Sequence, residues 1–124
     1  MKYILVVEHD ENVSKFLQVN LLARKYPARF VSDEQTALAL IRAESPWLII
    51  LDLQSTNDES FIFLDLLGQI VEDNLTCAIV FTTWLSAAQI AYCSLYPYVC
   101  EILYKPANAT ILMNTVKRLW KREI

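Results

Sequence analysis

What most constrains this chain is a change of hydrophobic period that repeats along its whole length. Five short runs, Tyr3 to Val7, Ala28 to Val31, Leu48 to Leu51, Ala78 to Phe81 and Val99 to Tyr104, are almost continuously apolar. Between and after them the apolar residues fall at helical intervals instead: Val13, Phe16, Leu17 and Leu21; Ala37, Leu38 and Ile41; Phe63, Leu66, Leu67, Ile70 and Val71; Ala87, Ile90, Ala91 and Leu95; Leu112, Val116 and Leu119. A strand apolar on both faces must be covered on both faces. Five such strands alternating with five helices predict an α/β fold, a doubly wound five-stranded parallel sheet with helices packed on either side in three layers. At 124 residues, with no internal repeat and no linker-like stretch, residues 1–124 are read as one domain.

Charge and cysteine usage narrow the function classes. The chain carries 11 basic and 14 acidic side chains for a net charge of −3, which gives no attraction to nucleic acid or anionic lipid. The opening apolar run is cut off by Glu8-His9-Asp10-Glu11, too early for a signal peptide or a membrane span, so a cytoplasmic protein is predicted. Cys77, Cys93 and Cys100 are odd in number and lack CxxC spacing; Cys77 and Cys100 lie in apolar runs and are expected to be buried thiols in a reducing compartment. The Asn-x-Thr sequons at Asn74 and Asn108 are read as accidental. Gly68 is the only glycine, which argues against a Gly-rich phosphate loop and hence against a nucleotide or flavin site after the first strand.

In a doubly wound sheet the chemistry collects beyond the C-terminal ends of the strands. The residues there are Glu8-His9-Asp10, then Asp52, then Thr82-Thr83, then Lys105-Pro106. A carboxylate, an acidic cluster, a hydroxyl and an ammonium on one rim are what transfer of a phosphoryl group onto a carboxylate requires. Asp52 would be the nucleophile, giving an acyl phosphate. Acidic neighbours would hold Mg²⁺ against the charge of the phosphoryl oxygens. Lys105 would pair with Asp52 and then with the phosphoryl group, to which the Thr82 hydroxyl would hydrogen-bond. A strand-terminal Asp can merely cap the next turn of chain; three companion groups at other strand ends favour the site.

With these residues in order, the whole chain resembles a response-regulator receiver domain of two-component signalling, a flavodoxin-like fold. Ile4 to Glu8 resembles its first strand and acidic pocket, Leu48 to Leu53 its phosphoacceptor strand around Asp52, Ile79 to Thr82 its hydroxyl-bearing strand, and Tyr104-Lys105-Pro106 its lysine-proline turn, where Pro106 follows a cis peptide bond in the family. The resemblance implies a phosphoacceptor domain rather than a dedicated enzyme. It implies a histidine kinase or phosphotransfer protein as donor and a downstream protein target or output domain as recipient of the signal. It also implies Mg²⁺ held by Glu8, Asp10 and Asp52.

The sequence departs from that pattern. His9 stands where the family usually has the acidic residue that binds the metal, and imidazole suits Mg²⁺ poorly, so the metal site is weakened. His9 itself is expected to be an exposed loop residue, and Asp58, Glu59 and Asp65 solvated acids. The family's Met-Pro and Asp-Gly are replaced by Ser55-Thr56 and Glu59-Ser60, and its switching aromatic by Ile102. Trp84, at the expected start of the fourth helix, could restrict access to Asp52. These departures motivate an alternative, a pseudo-receiver that binds proteins without phosphorylation. The aromatics Tyr92, Tyr96, Tyr98, Tyr104, Trp84 and Trp120 suggest a homodimer or partner interface through the last two helices and last strand.

Overall fold

The computed structural model describes residues 2–71, 75–106 and 108–123. Its elements run β1 (Ile4–Val7), α1 (Glu11–Ala23), β2 (Ala28–Val31), α2 (Glu34–Ala43), β3 (Leu48–Leu51), α3 (Asp58–Val71), β4 (Cys77–Thr82), α4 (Ala87–Cys93), β5 (Val99–Tyr104) and α5 (Ala109–Trp120). The strands pair in parallel in the order β2-β1-β3-β4-β5, so the winding direction reverses between β1 and β3. This is the five-stranded doubly wound sheet that the alternation of periods predicts. Asn74, one of the two sequons, lies outside the described residues; Asn108 is the N-cap of α5, its side chain accepting from the Thr110 N–H.

Every residue of β1, β3 and β4 is buried, and their alternation supplies two cores. Leu5, Val7, Ile49, Leu51, Ala78 and Val80 point to one face, where α2, α3 and α4 bring Ala37, Ile41, Phe63, Leu67 and Cys93. Ile4, Val6, Leu48, Ile50, Ile79 and Phe81 point to the other, covered by Leu17 and Leu21 of α1 and Leu112, Val116 and Leu119 of α5. Helix starts are set by side chains: Asp10 accepts from Asn12 and Val13 N–H groups, Asp33 accepts from Thr36 N–H, and Ser86 forms a capping box with Gln89. No described helix is long and apolar enough to cross a membrane.

One expectation about the cysteines is corrected. Cys77 and Cys93 are buried, but Cys100 is exposed. The register passes from Ala78 opposite Val99 to Ile79 opposite Glu101, so Cys100 is the extra residue of a bulge on an edge strand and turns to solvent.

Because Leu51 is 1 % exposed at the centre of the sheet and Val19 is 67 % exposed on α1, truncation should separate them sharply. Leu51→Ala should cost about 2–5 kcal/mol in urea unfolding, and Val19→Ala less than about 0.5 kcal/mol.

Candidate functional site

The two-sided burial of β1, β3 and β4 leaves polar side chains only at or past the strand ends. The ladder runs one residue beyond three strands: Glu8 N–H donates to Val31 O at 3.1 Å, Asp52 N–H to Val7 O at 2.8 Å, and Lys105 N–H to Thr82 O at 2.7 Å. These bonds fix where the Glu8, Asp52 and Lys105 side chains begin. Lys105 Nζ then lies 2.9 Å from Asp52 Oδ1 and 2.9 Å from Glu8 Oε2. Lys105 donates to Asp52 Oδ1 and, at 3.0 Å, to Glu8 Oε1, which leaves Glu8 Oε2 a buried acceptor with an ion-pair contact but without a directed hydrogen bond. The peptide bond between Lys105 and Pro106 is cis, as the resemblance implies.

His9 belongs to this cluster, which corrects its expected place as a bystander. Its backbone N–H donates to Asp52 Oδ2 at 3.2 Å, its Nδ1 lies 2.7 Å from the same oxygen, and its Nε2 lies 2.6 Å from Glu34 Oε1. Glu34, the first residue of α2, is a site residue that the linear pattern does not reveal. It arrives because β1 and β2 pair Val7 with Val31, which sets the chain after β2 beside the chain after β1. Ionised carboxylates only accept hydrogen bonds, so a carboxylate at each nitrogen favours the form of the ring that donates from both. Burial pulls the His9 value down, but the hydrogen bond to Asp52 and the charges of Glu34 and Asp52 outweigh it and raise the net value.

The two central carboxyls respond oppositely. Burial acts to raise Asp52, yet hydrogen bonds from His9 and Lys105 hold it below its ordinary range, so it is ionised. Glu8 is pushed up to about 7, chiefly by burial and by the neighbouring Asp52, with Lys105 pulling the other way.

Three expected participants sit differently. Thr82 reaches the same edge, but its buried hydroxyl donates to Leu53 O at 2.6 Å and faces away from the opening; the exposed Thr83 lines that opening instead. Asp10 is exposed and its carboxylate caps α1. Trp84 is 61 % exposed in the loop before α4 and does not line the cavity of about 740 Å³ in front of Asp52, so it does not screen the site.

The donor set does not fit a hard divalent cation. Mg²⁺ takes one or two carboxylates with a free oxygen and completes its shell with water. Here Asp52 is shared by Lys105 and His9, Glu8 is held by Lys105, and Asp10 serves the helix. Among the described residues no group of three His, Cys, Asp or Glu side chains is arranged to hold a metal.

The aromatic residues do not make one surface. Phe61, Tyr92, Tyr96 and Tyr98 form a ladder of ring contacts over α3 and α4, with Tyr98 buried and donating to Leu64 O. Tyr92 donates to both oxygens of Asp65 at 2.7 and 2.8 Å, so Asp65 is a partnered acid rather than a solvated one, while Asp58 and Glu59 are exposed as expected. Trp120 packs edge-on against Tyr26, away from this ladder, and Ile102 packs into the core in place of a switching aromatic.

A pH dependence arises from Glu8. Its folded value lies above the ordinary 4.5, so between about 4.5 and about 7 the folded chain holds a proton that the unfolded chain has released. Stability conferred by that proton is present at the acidic end of this window and is lost as pH rises through it, by up to about 1.4 kcal/mol per pH unit for one proton. Urea unfolding at about pH 5 and about pH 6.5 should show the native chain losing stability and Glu8→Gln losing much less, since the amide stays neutral.

No protein-family model matches the chain, and no curated protein matches it. Solved structures do. The non-phosphorylated HemR receiver domain from Leptospira biflexa is 20 % identical, with a TM-score of 0.86 over 100 % of this chain and 98 % of that one. The signal receiver domain assigned to a Luxo repressor protein from Vibrio parahaemolyticus is 26 % identical, with a TM-score of 0.84 over 98 % and 91 %. The chemotaxis protein CheY4 from Vibrio cholerae is 21 % identical, with a TM-score of 0.82 over 96 % and 98 %. The chain therefore has, over nearly its whole length, the fold of the response-regulator receiver domains that its motifs resemble.

Proposed function

We propose that this chain is a signalling receiver in which Asp52 accepts a phosphoryl group from a histidine kinase or phosphotransfer protein. One observation carries the reading: an ionised carboxylate lies at the base of an open cavity with the Lys105 ammonium 2.9 Å from one of its oxygens. An Asp52 oxygen attacks phosphorus while the bond from phosphorus to the donor's imidazole nitrogen breaks, and the departing imidazole takes a proton from solvent. Lys105 is placed to follow the charge from the carboxylate to the phosphoryl oxygens. The Thr82 hydroxyl reaches a phosphoryl oxygen only by leaving Leu53 O, which couples occupancy of the site to β4 and α4. On this reading the chain is a phosphoacceptor rather than a dedicated enzyme, works in the cytoplasm, and signals to a downstream protein target or output domain.

A second reading, a pseudo-receiver that binds proteins without phosphorylation, is favoured by the fact that both Asp52 oxygens and the Thr82 hydroxyl already have partners. Incubation with acetyl phosphate and MgCl₂, followed by intact-mass measurement, separates the two. The first reading expects one added phosphoryl group per chain, none in Asp52→Asn, and labelling slowed at least about tenfold in Lys105→Ala. An unlabelled native chain, or an Asp52→Asn chain that still labels, gives the case to the second.

A further inference from the structure

The His9 ring is held from both sides by carboxylates, and this is a built feature rather than a surface contact. The backbone N–H and Nδ1 of His9 both address Asp52 Oδ2, while Nε2 ends on Glu34 Oε1 at 2.6 Å. The side chains of His9, Glu34 and Asp52 are 22 %, 19 % and 6 % exposed, so the ring is shielded as well as bonded. Both ring nitrogens are thus occupied, each by a carboxylate oxygen within 2.7 Å. With Lys105 at 2.9 Å from Oδ1, each oxygen of Asp52 faces its own nitrogen partner.

We infer that the His9 ring, clamped between Asp52 and Glu34, occupies the place of a divalent cation, so that this pocket does its anion chemistry without taking up Mg²⁺. Three features carry this. The oxygen of Asp52 that is free of Lys105 is the one a metal would use, and His9 fills it twice over, from its backbone and from its ring. A cation entering there would stand beside the Lys105 ammonium and would have to strip Glu34 and Asp52 of their short contacts to the ring. The remaining acids are engaged elsewhere: the Lys105 ammonium lies within 3.0 Å of both Glu8 oxygens, and Asp10 is turned to the first turn of α1. Glu34 is the residue that makes the arrangement stable, since it holds the ring nitrogen on the side away from Asp52.

The inference rests on the receiver reading for what the anion is, but the metal claim is tested separately. The native chain and His9→Asp are titrated with MgCl₂ by isothermal titration calorimetry, and both are labelled with acetyl phosphate in Mg²⁺ and in EDTA. The native chain should give no saturable heat at millimolar MgCl₂ and the same labelling in both buffers. A folded His9→Asp, which swaps the imidazole for an oxygen ligand, should bind one Mg²⁺ per chain at least about tenfold more tightly and label only in Mg²⁺. Saturable Mg²⁺ binding by the native chain, labelling that EDTA abolishes, or a folded His9→Asp with no gain in Mg²⁺ affinity overturns the inference. Should His9→Asp fail to fold by circular dichroism, the native titration decides alone. Absence of label in every buffer sinks the phosphoacceptor role, while the calorimetry still decides whether His9 stands in for the ion.

Discussion

Two buried carboxyls can stand side by side at the C-terminal edge of this sheet because one ammonium lies between them. Lys105 Nζ is within 3 Å of both Asp52 and Glu8, and all three side chains are at most 10 % exposed. Taking such charges out of water is costly, and mutual attraction offsets the cost only when geometry is good. The geometry comes from the backbone: each of the three residues extends the parallel ladder by one hydrogen bond past its strand. One cation for two carboxylates is still a deficit, and the chain resolves it by asymmetry. Asp52 keeps its charge because His9 adds a second hydrogen-bonding partner, whereas Glu8, without that help, is pushed up toward neutrality.

That asymmetry gives the site its chemical character. On the receiver reading, the Lys105 and His9 nitrogens beside Asp52 would stand within reach of an incoming anion's oxygens without leaving their places. The Glu34 carboxylate on the far side of His9 keeps the ring from being drawn wholly onto Asp52. The cluster therefore spans β1, α2, β3 and β5, and no single element could be altered without changing the charge balance of the others.

Legibility in the sequence divides along physical lines. The strands, helices and layer order are legible because burial on two faces writes a continuous apolar run and burial on one face writes a helical interval. Asp52 and Lys105 are legible because strand ends are where a doubly wound sheet places chemistry. The His9–Glu34 pair is not, since it depends on how far the chain after β2 swings toward β1, which no local pattern encodes. Cys100 escapes for a related reason: a bulge shifts the alternation by one residue, and nothing in the run Val99 to Tyr104 marks where the shift falls. Trp84 sits elsewhere than its spacing suggests because α4 starts at Ala87, after the Ser86 cap, and not at the tryptophan itself.

The loop after Asp52 shows how the site is wired to the rest of the sheet even though the usual aromatic is missing at Ile102. Its Leu53 carbonyl takes the Thr82 hydroxyl, and its Ser55 carbonyl takes the Gln89 side-chain amide at 2.8 Å. Gln89 is also the third residue of the α4 capping box, bonded to Ser86. Loop, β4 and the first turn of α4 are thus joined by side chains that each do two things. A buried hydroxyl cannot be left without a partner, so any group that draws Thr82 away from Leu53 must replace that bond, and the loop carbonyl it vacates must find another donor. The carbonyl's neighbour, Ser55, is already tied to α4. A displacement of Thr82 would therefore be passed to α4 through hydrogen bonds of the backbone loop rather than through the swing of a large ring.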